Sequence, residues 1–311
     1  MELRQLGKSG LSIAPLALGG NVFGWTADEK TSFDILDAFV DAGGTMIDTA
    51  DVYSFWAPGH QGGESQTVIG NWLKRDPAKR DKVQIATKVG FIAGLAPEVV
   101  IAACEGSLAR LGVERIDLYY QHKDDEAVPL ADSFGAFDQL RRAGKIDAIG
   151  LSQYSPGRVH EAMQVADANG YARPTVLQTW YNLVERAKLE GPLLDAAQEH
   201  GLGILPFYSL ANGFLTGKYR SKDDLGKSVR GMRNVEYLEG RGPKVLAALD
   251  DIAAETNAAL ATVALAWTKA QPGITAPIAS ATSLDQAREI IAALTLDLTP
   301  NQIARLNDAS A

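Results

Sequence analysis

An aspartate, a tyrosine, a lysine and a histidine stand at or just past the ends of short apolar runs in this chain, and together they can move a proton. In "GGTMIDTADVY" (43–53) a strand-like Thr45-Met46-Ile47 ends in Asp48, and Tyr53 follows. "VQIATK" (83–88) ends in Lys88, and "IDLYYQH" (116–122) ends in His122. An unpaired buried charge is costly, so Asp48 and Lys88 are expected to pair. An ammonium near a phenol favours the phenolate and lowers a pKa that is otherwise about 10. Tyr53 is therefore expected to give a proton to a carbonyl oxygen or take one from an alcohol. His122 would donate a hydrogen bond to that oxygen and orient it. Each residue alone has an ordinary explanation: a structural ion pair, a core histidine, a loop aromatic. The four at one place, in this order, carry more weight.

The elements that must position them alternate along the chain. Apolar runs of strand length occur at 13–20, 45–48, 83–88, 116–122, 147–152, 175–179, 203–207 and 274–280. Helical patterns lie between them at 29–44, 64–75, 97–112, 132–145 and 157–170, the first placing Phe33, Leu36, Phe39 and Val40 on one face. The spacing is that of βαβ units, and continuous apolar strands suit a parallel sheet covered on both faces. Eight such units predict a (β/α)8 TIM barrel forming a single domain over residues 1–311, with polar strand ends converging on one face. Gly20-Asn21, Asp48, Lys88, His122, Ser152, Gln178, Phe207-Tyr208-Ser209 and Ser280 all stand at such ends. No G-x-G-x-x-G follows the first strand, which weakens a Rossmann reading. Residues 3–13, with Gly7 and Gly10, read as a β-hairpin capping the barrel floor. Residues 208–242, rich in Gly, Lys and Arg, form a long loop after strand seven, and loops of that length are usually functional or disordered.

Bulk composition narrows the classes. At 311 residues with 46% hydrophobic and 22% charged, the chain is ordinary globular material. Its net charge of −8 argues against general nucleic-acid binding. The single cysteine, Cys104, allows no internal disulfide, fits a reducing compartment, and lies in an apolar helical pattern where it reads as core. "MELRQLGKSG" has no apolar segment of a secretory signal, and no run of 18 apolar residues occurs. The expectation is a cytoplasmic protein acting on a small molecule, with no membrane or nucleic-acid partner.

"GGTMIDTADVY", "IATKVG", "SLARLGVERIDLYYQH", "AGKIDAIGLSQYS" and "GFLTGKY" together resemble the aldo-keto reductases, from residue 3 to the C-terminus. The resemblance implies hydride transfer between a nicotinamide dinucleotide and a carbonyl, with Tyr53 as proton donor beside Asp48, Lys88 and His122, and with no metal. It also implies a cofactor site. Gly20, Asn21 and Asp48 are expected to bind the cofactor, and Ser152 and Gln178 match residues that hold the carboxamide. Gln153 stands where the family usually has asparagine, and Phe207 where many members stack a tyrosine on the nicotinamide. Tyr208, Ser209, Leu210, Asn212 and Lys218 fall in the stretch that passes the pyrophosphate, with Arg230 as a clamp from the long loop. Ser283-x-x-Gln286 reads as a capping box opening a helix, whose N-terminus suits a phosphate. Ser280 and Thr282 add hydroxyls there. The resemblance places the 2′-phosphate of NADP at this point, where many members have an arginine and, four residues on, an asparagine. Here those positions hold Gln286 and Ile290, so NADP(H) is expected to be preferred with NAD(H) tolerated. "SFWAPGHQGG" after Tyr53, with Trp25, Trp56 and Trp180, suggests a substrate pocket with aromatic walls, partly closed by a mobile loop carrying Gly59, Gly62 and Gly63.

Two other classes fit the same residues. A regulatory subunit of this fold would bind the cofactor with little turnover. A Schiff-base lyase would use Lys88 as nucleophile, which requires a neutral lysine that Asp48 opposes.

Overall fold

The computed structural model describes residues 2–311. A two-stranded antiparallel hairpin, β1 (Arg4–Gln5) with β2 (Ser12–Ile13), comes first. Eight parallel strands follow: β3 (Ala17–Gly19), β4 (Met46–Asp48), β5 (Gln84–Val89), β6 (Ile116–Gln121), β7 (Ile146–Ser152), β8 (Val176–Trp180), β9 (Gly203–Phe207) and β10 (Ile278–Ala279). Their order in the sheet is β10-β3-β4-β5-β6-β7-β8-β9. The seam between β9 and β10 is bridged where Thr275 N–H donates to the Ile204 carbonyl at 2.9 Å. The architecture is the (β/α)8 barrel with its N-terminal hairpin.

Ten α-helices among the described residues surround the strands: α1 (Glu29–Asp41), α2 (Glu64–Arg75), α3 (Pro97–Leu111), α4 (Leu130–Arg142), α5 (Pro156–Asn169), α6 (Pro192–His200), α7 (Gly242–Thr256), α8 (Leu260–Ala270), α9 (Leu284–Ile291) and α10 (Pro300–Ser310). Their ends follow local rules. The Asp28 carboxylate accepts from Thr31 N–H to open α1, and the Ser155 hydroxyl caps α5. On α1 the fully buried apolar side chains are Ile35, Leu36 and Phe39, while Phe33 and Val40 pack against the core from its margin. The expected face was therefore turned slightly.

Strand alternation divides the core in two. Leu18, Ile47, Ile85, Tyr119, Ile149, Leu177 and Ile204 point outward and pack with the helices. Ala17, Met46, Ala86, Leu118, Ala148, Val176, Leu205 and Ile278 point inward and fill the barrel, closed below by Leu6 and Ile13 of the hairpin. The hairpin thus caps the floor as expected. Arg4 reinforces it by donating to the carbonyls of Lys269 and Thr275 at 2.8 and 3.1 Å.

The first and last barrel strands are shorter than the apolar runs 13–20 and 274–280. Each run contains a proline, Pro15 and Pro277, that has no N–H for the ladder. Ile13 pairs with Arg4 in the hairpin instead. The long loop after β9 runs as a series of tight 3₁₀ turns from Ala211 to Leu238. No helix among the described residues is long and apolar enough to cross a membrane.

Candidate active site

Inward-facing residues recur every second position, so the residue two places beyond the barrel-filling layer also faces inward, one step nearer the mouth. Met46 leads to Asp48, Ala86 to Lys88, Val176 to Gln178, Leu205 to Phe207, and Ile278 to Ser280. The mouth layer is thus set by strand period and register, with Asp48 beside Gly19 and Ala86, and Ser152 beside Gln178.

The Asp48–Lys88 pair forms as expected. Lys88 Nζ donates to Asp48 Oδ2 at 2.6 Å, to the Thr49 carbonyl at 2.8 Å and to the Tyr53 hydroxyl at 2.9 Å. All three ammonium donors are used. Asp48 Oδ2 also accepts from the Tyr53 hydroxyl at 3.3 Å, and Oδ1 accepts from Gln178 Nε2 at 2.9 Å. Both charges are buried and both are satisfied, which is what allows an apolar strand to end in a carboxylate.

The direction of the Tyr53 shift differs from the sequence expectation. Burial first, and then the Asp48 carboxylate, push the phenol well above its ordinary value. Lys88 itself is pulled below its ordinary value by burial, with Asp48 opposing. The lowering expected from lysine alone does not appear, because burial and the Asp48 carboxylate set the direction. The phenol stays protonated, in the form that donates.

His122 stands against Tyr53, ring centroids 5.9 Å apart, and against Phe91 at 4.9 Å. Burial, then Lys88 and Lys123, hold it well below its ordinary value, so the ring is neutral and offers a hydrogen bond rather than a charge. Its Nδ1 is buried without a partner. The Gln153 side chain donates to the His122 carbonyl at 3.1 Å.

These residues open into one cavity of about 870 Å³. Its wall includes Asn21, Asp48, Tyr53, Trp56, His122, Ser152, Gln153, Gln178, Phe207, Tyr208, Ser209, Leu210, Asn212, Lys218, Arg230, Ser280, Thr282 and Gln286. Lys88 lies behind this wall and reaches it through Tyr53. Gly20 does not line it: its backbone is packed against Ser65, whose hydroxyl donates to the Gly20 carbonyl at 2.8 Å. Gly19 lines it instead, because a Cβ there would sit 2.5 Å from Ser280 Oγ. Trp25 does not line it either. It packs edge-on to Trp56, centroids 5.4 Å apart, and carries the Arg230 guanidinium 5.4 Å above its ring. Trp180 lines the wall, tilted against Tyr208 with ring centroids 4.4 Å apart.

The loop after Tyr53 is pinned at its far end, where Glu64 accepts from the N–H groups of Gln61 and Gly62 at 2.8 and 3.0 Å. Gly63 packs on Arg110, and only Gly59 of the three glycines has open space around it. The Ser283 cap forms, its hydroxyl accepting from Gln286 N–H at 3.3 Å. The reciprocal half of the capping box does not. Gln286 Oε1 reaches one residue further back, to the N–H and hydroxyl of Thr282 at 3.0 and 3.1 Å. Arg288 is exposed and turned to Asp285.

Several wall residues were not singled out from sequence. Phe91 follows Lys88 by three positions. Glu289 lies three residues after Gln286 on α9, hence on the same helix face, a spacing the sequence does show. Asp51 lies just behind the pair; burial pushes its carboxyl up to about 6, against the pull of Arg110.

A nicotinamide dinucleotide fits the donor set of this wall. Asn212 Oδ1 and Trp180 Nε1 are buried without partners. Gly213 has positive φ, and a Cβ there would lie 2.9 Å from Lys218 Nζ, so glycine lets the ammonium approach the backbone where the wall turns.

Comparison with known proteins decides the family. The Aldo/keto reductase family model matches residues 15–311. The chain belongs to the aldo/keto reductase family. It is 33% identical to the uncharacterized oxidoreductase YrpG of Bacillus subtilis (strain 168), over 99% of this chain and 95% of that protein. It is 29% identical to a probable voltage-gated potassium channel subunit beta of Oryza sativa subsp. japonica, over 98% and 95%. It is also 29% identical to the L-glyceraldehyde 3-phosphate reductase of Escherichia coli O157:H7, over 99% and 92%. Membership and the oxidoreductase relatives support oxidoreduction between carbonyls and alcohols.

Proposed function

We propose that this aldo/keto reductase is an NADP(H)-preferring enzyme that interconverts carbonyls and alcohols, with Tyr53 as the general acid and base. The single observation that carries the reading is the buried, fully satisfied Asp48–Lys88 pair against a protonated Tyr53 hydroxyl at the cavity wall. A bound nicotinamide dinucleotide would supply the hydride. Tyr53 gives its proton to the carbonyl oxygen as that oxygen gains charge, and Lys88 stabilises the phenolate left behind. Asp48 keeps Lys88 charged and in place. Neutral His122 donates a hydrogen bond to the same oxygen, which orients the carbonyl without competing for the proton.

The dinucleotide would lie along the rest of the wall. Ser152, Gln153 and Gln178 would hold its carboxamide end, and Phe207 would offer its ring face to the nicotinamide. Ser209, Leu210, Asn212 and Lys218 follow the pyrophosphate, and Arg230 ties the long loop over it. Ser280, Thr282 and Gln286 meet the 2′-phosphate at the start of α9. Because Gln286 brings no charge and Ile290 is buried, discrimination against NAD(H) is weaker than an arginine would give. Trp56, Phe91, Phe55 and Ile92 expose apolar surface around the mouth, which supports a substrate with an apolar or aromatic body.

The potassium-channel relative supports a second reading, a cofactor-binding subunit with little turnover. One experiment separates the two: consumption of NADPH and NADH, and formation of each from NADP and NAD, across sugars, steroids, aromatic aldehydes and aliphatic ketones. Turnover on at least one class with NADPH favoured is expected. Tight dinucleotide binding with no turnover anywhere would support the subunit.

A further inference from the structure

A second cluster of ligand-type side chains lies at the opposite end of the barrel. His200 is the last residue of α6 and stands three residues before β9, so it sits at the floor. With Lys8 and Ser9 of the hairpin it lines a separate cavity of about 340 Å³. His160 of the neighbouring helix α5 points to the same place: His160 Nδ1 and His200 Nε2 are 2.9 Å apart, their rings edge to face with centroids at 5.0 Å. Glu199 completes a set of three ligand atoms all within 4.8 Å of one another.

Packing alone does not account for this trio. Two ring nitrogens at hydrogen-bond distance require one to be unprotonated, so at least one imidazole presents a lone pair. Neutral imidazole is the form that binds metal. The cationic Arg173 is already tied to Asp167. The α6 C-terminus adds the partial negative charge of its last carbonyls, and the Glu199 carboxylate adds a full one.

We propose that His160, Glu199 and His200 form a three-ligand site for a divalent transition cation of the zinc type, clipping α5 to α6 on the outer wall. Nitrogen ligands at about 2.0–2.1 Å from a tetrahedral zinc stand about 3.3 Å from each other. The histidine pair therefore opens slightly and the exposed Glu199 side chain swings in, with water in the fourth position. The balance is simple. The bridging proton moves to the other nitrogen of the same ring, both lone pairs face the cation, and no redox change occurs. Two imidazoles and one carboxylate select zinc, nickel or copper over magnesium and calcium, which prefer oxygen-only shells.

The test uses the whole chain, stripped with a chelator and titrated with zinc against a chromophoric chelator. One equivalent bound in the micromolar range or tighter is expected, with His160→Gln and His200→Gln each weakening it roughly tenfold or more. Zinc should raise the melting temperature of the wild type and not of His160→Gln. Magnesium at about a thousandfold excess should not displace it. Since the histidine contact also packs two helices, Glu199→Gln, at an exposed position, repeats the test without disturbing the fold, with a severalfold loss expected. No saturable zinc below about 100 μM, or titrations identical in wild type and both histidine variants, would overturn the site.

Discussion

The two ends of the main cavity are built on opposite lines. At the inner end Asp48, Lys88, Tyr53 and Gln178 form one hydrogen-bonded network, completed by the Thr49 carbonyl and held by the strand ends and the turn after β4. At the outer end the polar groups come from a loop and a helix start. Lys218 stands beside Gly213 and makes no ion pair among the described residues. Gln286 spends its carbonyl oxygen on Thr282, and Glu289 places a carboxylate on the same wall. A buried, saturated network is preorganised and intolerant of change, because any loss leaves a charge unpaired. An exposed, unsaturated wall can be re-tuned one side chain at a time. Chemistry should therefore be lost in large steps at the inner end, and cofactor preference should shift in small steps at the outer one.

The largest effect belongs to Tyr53→Phe. It removes the proton donor but no dinucleotide contact, so kcat should fall about 10²–10⁴-fold while the Kd for NADPH stays within about twofold. Near-normal kcat on the best substrate would mean that the proton comes from elsewhere. Lys88→Met comes next. It strands Asp48, so stability should drop by about 3–5 kcal/mol, read by denaturant unfolding. It should also move the alkaline limb of the alcohol-oxidation profile upward, because the phenolate loses its neighbouring ammonium. Lost stability with an unchanged profile would reduce the pair to a structural role.

At the outer end, Gln286→Arg should tighten NADPH about tenfold and leave NADH within about twofold. No gain for NADPH would show that the 2′-phosphate is not held at α9. A further effect, on stability alone, sits just behind the inner pair. Asp51 has its folded pKa raised to about 6, so its protonated form favours folding. That contribution is complete below the unfolded value near 4 and is lost as pH rises through 6. Asp51→Asn should therefore be more stable than wild type above pH 6, by about 1–3 kcal/mol, with the gain gone by pH 4. Equal gains at both pH values would assign the effect to packing.

The same contrast explains what could be read from sequence. Asp48, Lys88 and Gln178 sit on strands, where a period of two fixes which side chains face inward, so their meeting follows from the apolar pattern. Lengths at the barrel seam were misjudged because Pro15 and Pro277 look like parts of apolar runs yet cannot join a ladder. Gly20 was expected at the cofactor site as a strand-end residue and Trp25 in the substrate pocket as an aromatic near the mouth, but local geometry packed the one on Ser65 and turned the other behind Trp56. The sign of the Tyr53 shift was missed because it is set by burial and by Asp48 rather than by Lys88, and the Tyr53–Lys88 pair alone does not reveal that. Glu289 was legible from helical spacing alone.

The central claim is hydride transfer from a bound dinucleotide to a carbonyl beside Tyr53. It is tested most directly with NADPH deuterated at the transferring position of the nicotinamide, an aromatic aldehyde and the wild-type chain. The account predicts one deuterium on the carbinol carbon for each NADPH consumed, with the label and the consumption both lost in Tyr53→Phe. NADPH that binds tightly and is never consumed, or alcohol formed without the label, would contradict it.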